Sequence, residues 1–334
     1  MNILFDMNHP ADVHQFKFVI KELQKKHKVI VVARNKECTY ELLKANKIKF
    51  IPRKGYDSII GKIGGILLIN FKLYKIAKKF KPDIFVGSSG NLYVAQVGKI
   101  LKKPVIIFDD TEHATFQKML CFPFASTIVT PDTYKQNLGK KQIKYPGSKE
   151  LSYLDKKYFK PDDKIEKEIK KKNNQKIIFL RLVSWEANHD LGKKGINNPI
   201  RLIEELNKFG KVLVSSEKKI DKRINKYSIQ IPHYKLHDFL YFSDLVISEG
   251  GTVAVEAATL GIPTIYVNKL RMGYSDNLVN KGLIKQITDE KKIIETAKLI
   301  LTNNNVKKRL NTKIDLVKFM SKLIIRKGDK NVSN

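Results

Sequence analysis

Short apolar runs alternate along the chain with longer stretches in which apolar residues recur three and four positions apart. Ile3 to Phe5 reads as a buried strand and Asp6 to Ala11 as the loop beyond it. Asp12 and Gln15 have capping-box spacing, and the helix behind them lines up Phe16, Val19, Ile20 and Leu23 on one face. Val29 to Ala33 reads as the second strand, Thr39 to Ala45 as a helix, and Ile48 to Ile51 as the third strand. Further strands are expected at Ile84–Val86, Val105–Phe108, Ile128–Thr130 and Gln142–Tyr145, with a helix reaching Leu101. Strands alternating with helices in this way indicate an α/β fold built on parallel sheets.

The second half repeats the theme. Strand Lys176 to Leu182 precedes a helix carrying Ile200, Ile203 and Leu206, then strand Val212 to Val214, a strand-like Ile229 to Ile231 and a short helix Leu236 to Phe242. Residues 275–325 read as mostly helical. Between the halves, Pro146-Gly147 and the stretch to Asp163 have the look of a boundary, and Lys164 to Asn174 is charged and poor in core residues. The expected organisation is a first domain over 1–150, a linker over 151–175, a second domain over 176–312, a last helix over 313–326 and a loose tail over 327–334. Residues 59–80 mix apolar residues with lysine. They form either a helix packed on the sheet with lysines on its wet side or an interfacial amphipathic segment.

One stretch carries the strongest local signal. Leu245 to Ile247 is a buried-strand run, Ser248 to Gly251 breaks it, and Thr252 is placed to cap a helix over Val253 to Leu260. Gly261 stops that helix, and Thr264 to Val267 is the next strand. Glycines in a strand-to-helix turn let backbone approach a ligand, and the open N–H groups of the helix start favour an anion. Glu256, one turn in, leans toward that mouth and can accept hydrogen bonds from a sugar diol. The plainer reading is a tight turn with a solvated glutamate.

In open parallel sheets, ligands gather beyond the strand C-terminal ends. The polar clusters fall there. In the first half they are Asn8, His9 and His14; Ser88, Ser89 and Asn91; and Asp109, Asp110, Glu112 and His113. In the second they are Ser184 and Trp185; Ser215 and Ser216; His233; and Glu249 to Thr252 with Glu256. His14 can act as a base or phosphate partner near neutral pH, or is a surface histidine. Asp109 and Asp110 can position sugar hydroxyls or move protons, or cap a helix; Glu112 and His113 are open in the same way. Trp185 can stack on a sugar or base, or simply pack. His189-Asp190 looks like half a metal site, but no third ligand has suitable spacing, so no metal is expected. His27 and His237 read as structural.

Charge adds a further constraint. Net charge is +31, yet only eight of the 64 basic residues are arginine, and lysine is spread over the whole chain. Base readout favours arginine, so nucleic acid is not the expected partner. Solvated lysine faces account for the charge, as does attraction to an anionic membrane surface or a phosphorylated substrate. The two cysteines, Cys38 and Cys121, lack metal-ligand spacing and fit a reducing, cytoplasmic setting. The N-terminus MNILFDMNHP lacks the basic-then-apolar order of a signal peptide, and no apolar run approaches bilayer-spanning length.

DLVISEGGTVAVEAATLGIPTI resembles the C-terminal nucleotide-sugar motif of GT-B glycosyltransferases and of non-hydrolysing UDP-N-acetylglucosamine 2-epimerases. The whole chain, through NHPADVHQF, YPGSKELSYL and RLVSWEANHD, looks like an uncharacterised archaeal-type family of that superfamily. The resemblance implies a GT-B-like architecture: two Rossmann-like parallel-sheet domains facing across a cleft, with the last helix crossing back to the first. It implies that Gly250, Gly251 and Thr252 meet a diphosphate, that Glu256 binds ribose hydroxyls and that the His233 loop lies by the base. His14 and the DDTEH segment would face sugar and acceptor, with no cofactor beyond the nucleotide-sugar substrate, expected to be UDP-linked, and no protein-bound metal. The acceptor would be a glycan or lipid-linked molecule. Where the epimerases carry GTRPE-like and HRxEN-like sequences, this chain has DMNHPADVH and VSWEANHD. Those departures favour glycosyl transfer over 2-epimerisation; an epimerase or hydrolase acting on the same donor, and a nucleotide-sugar-binding protein without catalysis, are the alternatives.

Overall fold

The computed structural model describes residues 1–55, 59–112, 114–170, 175–183, 195–217, 221–270, 273–303 and 314–329. The chain divides into two compact units, Met1–Tyr153 with Thr312–Asn334, and Leu154–Asn311. The first is built on strands β1 (Asn2–Met7), β2 (Lys28–Arg34), β3 (Ile51–Arg53), β4 (Ile84–Ser88), β5 (Val105–Phe108), β6 (Thr127–Pro131) and β7 (Gln142–Tyr145). Their order is β3-β2-β1-β4-β5-β6-β7, and the pairs are parallel, as in Ile3↔Val29 and Ile3↔Ile84. A parallel sheet needs cover on both faces. Ile3, Leu4 and Phe5 in β1 and Ile84, Phe85 and Val86 in β4 are accordingly fully buried.

Its helices are α1 (Pro10–Gln24), α2 (Thr39–Ala45), α3 (Ile59–Phe80), α4 (Leu92–Ile100), α5 (Thr115–Cys121) and α6 (Leu151–Leu154), the last at the unit boundary. The second unit carries α7 (Asp163–Ile169), β8 (Ile177–Leu182), α8 (Pro199–Leu206), β9 (Lys211–Ser216), α9 (Leu236–Tyr241), β10 (Leu245–Ser248), α10 (Gly251–Thr259), β11 (Thr264–Tyr266), α11 (Gly273–Asn280), β12 (Ile284–Gln286) and α12 (Glu290–Thr302). Its sheet is parallel, in the order β12-β11-β10-β8-β9. The chain then returns to the first unit as α13 (Leu316–Gly328), capped by Asp315 and packed on α1 and β4.

Each sheet has one place where strand order reverses: between β1 and β4 in the first, between β8 and β10 in the second. Ligand sites of doubly wound sheets form at such points.

Several local expectations shift. The cap of α1 is His9, not Asp12. The Ala11 N–H donates to His9 Nδ1 at 3.2 Å and the His9 N–H to Asp12 Oδ2 at 3.2 Å. Pro10, with its fixed φ and missing N–H, suits the first helical position and moves the start forward. His14 therefore lies in the second turn. Strand β3 begins at Ile51 rather than ending there, and Gly87 and Ser88 belong to β4. Ser215 and Ser216 lie inside β9. Ile229–Ile231 is not a strand; one bridge, Val214↔Ser228, stands in its place. The segment after Asp162 is helix α7, with Ile165 and Ile169 buried.

Helix α3 packs through a narrow stripe. Ile69, Leu73 and Ala77, four residues apart, are buried, while Leu67, Leu68 and Phe71 are 74%, 52% and 56% exposed. The Asn70 side-chain amide donates to Gln96 Oε1 at 2.6 Å, fixing α3 to α4. No described helix is long and apolar enough to cross a membrane.

Candidate functional site

In the second unit, β10 ends at Ser248 and α10 begins three residues later. The N-cap of α10 is Gly250, not Thr252, and no side chain caps the helix. The contrast lies within the same unit: Asp162, Asn198 and Asp289 cap α7, α8 and α12 with their side chains. A helix start without a capping side chain leaves first-turn N–H groups for an anion, with the helix dipole behind them. The turn is stiffened by Ser248, whose hydroxyl donates to the Gly250 carbonyl at 2.8 Å. A Cβ on Gly250 would stand 3.1 Å from Val183 Cγ1.

Glu249 faces the other way. Its carboxylate is 4% exposed and accepts the Val183 N–H at 2.9 Å and the Ile196 N–H at 2.8 Å. It thus fastens both flanks of the loop after β8. Ser184 and Trp185 belong to that loop, and they, with His113, lie outside the described residues. Glu256 is 3% exposed, so it is not a solvated helix residue. Its Oε1 lies 3.0 Å from Nε2 of His237 on α9. His237, read as structural, is what holds this carboxylate. Ser215 accepts from Arg181 Nη1 at 2.7 Å, while Arg181 Nη2 reaches Glu217 at 2.7 Å. His233 opens a short helical turn beside α9 and is exposed.

In the first unit, the β1/β4 switch point gathers Asn8, His9 and Asn91 with two residues the sequence reading did not select, Asp6 and Arg53. Arg53 donates to Asp6 through Nε at 2.9 Å and Nη2 at 3.2 Å, and to Asn8 Oδ1 at 3.1 Å. The Asn8 amide donates to the Gly90 carbonyl at 2.9 Å. Asn91, fully buried, donates to the Asp6 carbonyl at 2.6 Å and to Asp12 Oδ2 at 3.2 Å, and its own Oδ1 has no partner. Burial pushes the Asp6 carboxyl up, and this outweighs the Arg53 guanidinium drawing it down. His9 also reaches Glu37 at 3.6 Å, and its nearness, with that of Lys36, holds that carboxyl down at about 2.

The two aspartates after β5 diverge. Asp109 is 5% exposed and accepts from the Tyr134 hydroxyl at 2.6 Å; Ser89 also bonds to it, and burial raises its pKa above the usual range. Lys118, buried, links Tyr134 at 3.3 Å to the Glu112 carbonyl at 2.6 Å. The Glu112 carboxylate accepts the Lys135 N–H at 2.6 Å. Asp110 instead pairs with Lys149 Nζ at 2.8 Å. His14 stacks on Tyr153 with ring centroids 5.3 Å apart. Asn8, His9, Ser88 and Asn91 thus form one network; Ser89 and Asp109 form another, which Tyr134 and Lys118 extend to the Glu112 carbonyl, while His14 packs on Tyr153. Among the described residues no three metal-ligating side chains are grouped to hold an ion.

Lys149 and Glu150 come from the PGSKE stretch and were not selected as site residues; Asp110, the partner of Lys149, is some forty positions away in sequence. Burial works to strip the Lys149 proton, but Asp110 and Glu150 outweigh it and hold the pKa above its ordinary value. Glu150 is 1% exposed, and burial pushes its carboxyl from 4.5 to about 7. A carboxyl with a raised folded-state pKa contributes stability that is full below about 4.5 and is lost as pH rises through about 7. Glu150→Gln is therefore expected to remove that decline. At pH 8 the variant should be more stable than the parent by roughly 2 to 3 kcal/mol, and near pH 4 the two should match. Urea unfolding at both pH values measures the difference.

Two parallel α/β sheets, each with polar strand ends at its order reversal, define a GT-B-like fold. The chain superposes on a UDP-GlcNAc 2-epimerase from Neisseria meningitidis bound to UDP-GlcNAc with a TM-score of 0.72 and 16% identity, over 98% of this chain and 100% of that one. MurG from Acinetobacter baumannii gives 0.62 and 15%, over 98% and 100%. At such identities the likeness shows the fold. The chain belongs to the family described as "Protein of unknown function (DUF354)", whose model matches residues 1–328. It is also 25% identical over 319 residues to the uncharacterized protein MJ0665 of Methanocaldococcus jannaschii, covering 88% of this chain and 90% of that protein.

Proposed function

We propose that the protein is a glycosyltransferase using a nucleotide-diphosphate sugar, UDP-linked, to build a glycan or glycolipid in the cytoplasm. The observation that carries this is the helix start at Gly250, without a capping side chain, at the β8/β10 reversal. In this reading the N–H groups of Gly251 and Thr252 receive the diphosphate, so the leaving group is neutralised by backbone and helix dipole without a protein-bound metal. Glu256, its carboxylate fixed by His237, takes the ribose hydroxyls; His233 lies by the base; Ser215 and Ser216 stand at the next strand end. That a structural neighbour was solved with UDP-GlcNAc supports the ligand class.

The first unit supplies the acceptor side. An acceptor hydroxyl attacks the anomeric carbon, the bond from that carbon to the diphosphate oxygen breaks, and the hydroxyl proton passes to a base. Of His14, Asp109, Asp110 and Glu112, Asp109 suits the base best. It is buried and oriented by Tyr134 and Ser89, and its raised pKa moves it toward the working range of a proton acceptor. The basic surface brings the enzyme to anionic membranes where a lipid-linked acceptor resides.

The test is a thermal-shift screen of UDP, GDP, CDP and their sugars. UDP at a hundredfold excess over its Kd is expected to stabilise the protein by about 2.7 kcal/mol. Gly250→Val, which sets a side chain against Val183, is expected to abolish that shift. UDP-sugar turnover only with an added acceptor supports transfer. An epimer or free UDP from the donor alone overturns it, and no shift with any nucleotide overturns the donor site.

A further inference from the structure

The first unit holds a cavity that shares Arg53 with the β1/β4 network and is otherwise lined by residues outside it. It measures about 390 Å³ and lies between α3 and the ends of β2 and β3. A space of that size falls in the range of small-molecule sites. One wall is apolar: Ile69 and Leu73, both buried, and Leu68, which is half exposed at the rim. Four lining residues are cationic, Arg53 and Lys54 at the end of β3 and Lys72 and Lys75 on α3, and none of the described residues lining the space is acidic.

Arg53 sharpens the chemistry. It is 7% exposed, and its Nε and Nη2 are engaged by Asp6 and Asn8. Its Nη1 is buried without a partner. The guanidinium lies 4.9 Å from the Tyr93 ring, so its charge, rather than a free N–H, is what it brings to the space. Outside the rim the apolar surface continues through Leu67 and Phe71 on α3, so a chain entering past Leu68 stays in contact with hydrocarbon.

We propose that this cavity binds a single apolar chain ending in an anionic, phosphate-type head, with the chain along α3 and the head at Arg53, Lys72 and Lys75. The cations select the head, and Leu68, Ile69 and Leu73 select the chain. Such a molecule is either a membrane lipid or a soluble amphiphile. Identifying it with the acceptor of the preceding section rests on that reading; the binding itself does not.

Dodecyl phosphate, below its micelle concentration, is titrated into the intact protein by calorimetry. Dodecyl maltoside tests the chain alone and inorganic phosphate the head alone. Saturable one-to-one binding of dodecyl phosphate is expected, at least tenfold tighter than either control. Octyl phosphate should bind more than tenfold weaker, since each buried methylene is worth roughly fourfold. Leu68→Glu and the double variant Lys72→Glu/Lys75→Glu alter exposed positions, so circular dichroism and Tm should hold while affinity falls tenfold or more. Equal binding of the maltoside, unchanged affinity in both variants, or no saturable binding overturns the proposal. Vesicles of phosphatidylcholine, with and without phosphatidylglycerol, separate the sources. Vesicle binding displaced by dodecyl phosphate assigns a lipid, and dodecyl phosphate binding without vesicle binding assigns a soluble amphiphile. Vesicle binding that dodecyl phosphate leaves untouched and Leu68→Glu retains overturns the cavity as the site. No readout involves a nucleotide sugar, so the donor site stands or falls separately.

Discussion

Arg53→Met is expected to destabilise the protein by about 3 to 5 kcal/mol, the cost of leaving one member of a buried ion pair alone. Asp6 is fully buried and sits in the middle of the sheet, at the end of β1. Without the guanidinium it keeps only the backbone around it, and the Asn8 Oδ1 loses its donor as well. Asp6 then holds its proton to higher pH, because the group that drew its pKa down is gone while burial remains. The loss should therefore be smaller at low pH and grow as pH rises. The double variant Asp6→Leu/Arg53→Met removes both charges and should recover most of the loss. Urea unfolding of the parent, the single and the double variant, at pH 5 and pH 8, reads all three statements. A single variant as stable as the parent would falsify the importance given to this pair.

Glu249→Ala should cost about 3 to 4 kcal/mol, because two buried hydrogen bonds to a carboxylate are lost together. Its second consequence is local. Amide exchange at Val183 and Ile196 should accelerate by orders of magnitude, while the strand amides of β11 should change only with global stability. Glu249→Gln should fall between, since one oxygen still accepts and the amide group now sets a donor against a backbone donor. If the Val183 and Ile196 amides keep their protection in the alanine variant, Glu249 does not fasten that loop. UDP binding, measured alongside, should weaken with the loop.

The alternation of apolar runs and amphipathic stretches was enough to read the fold class, because parallel strands buried on both faces are nearly continuous in apolar residues. The strand ends were legible for the same reason: polar clusters interrupt those runs where the chain leaves the sheet. What escaped is physical in origin. Asp12 has the right spacing for a cap, and only the fixed φ of Pro10 tips the helix start to the preceding position. The third strand lies a few residues later than expected and takes in Pro52, whose missing N–H is tolerated because β3 is an edge strand. Ile229 looks like strand, but it makes a single backbone contact, donating to the Val214 carbonyl at 2.9 Å. Arg53 and Lys149 were not selected because their partners, Asp6 and Asp110, are roughly forty or more positions away. Glu256 was legible as a special residue but not in its setting, since His237 comes from another helix.

The return of the chain to the first unit has a bearing on synthesis. Residues 154–311 form their own compact unit before α13 exists, whereas the first unit waits for the last helix to cover α1 and β4. On the ribosome the part made first is thus finished last. Its apolar face stays uncovered while roughly half the protein is translated, and it is closed by contacts between positions some three hundred residues apart. Long-range closure of that kind slows folding and exposes the nascent chain to aggregation. A chain terminated ahead of Leu316 should leave the second unit folded and the first one prey to chaperones and proteases.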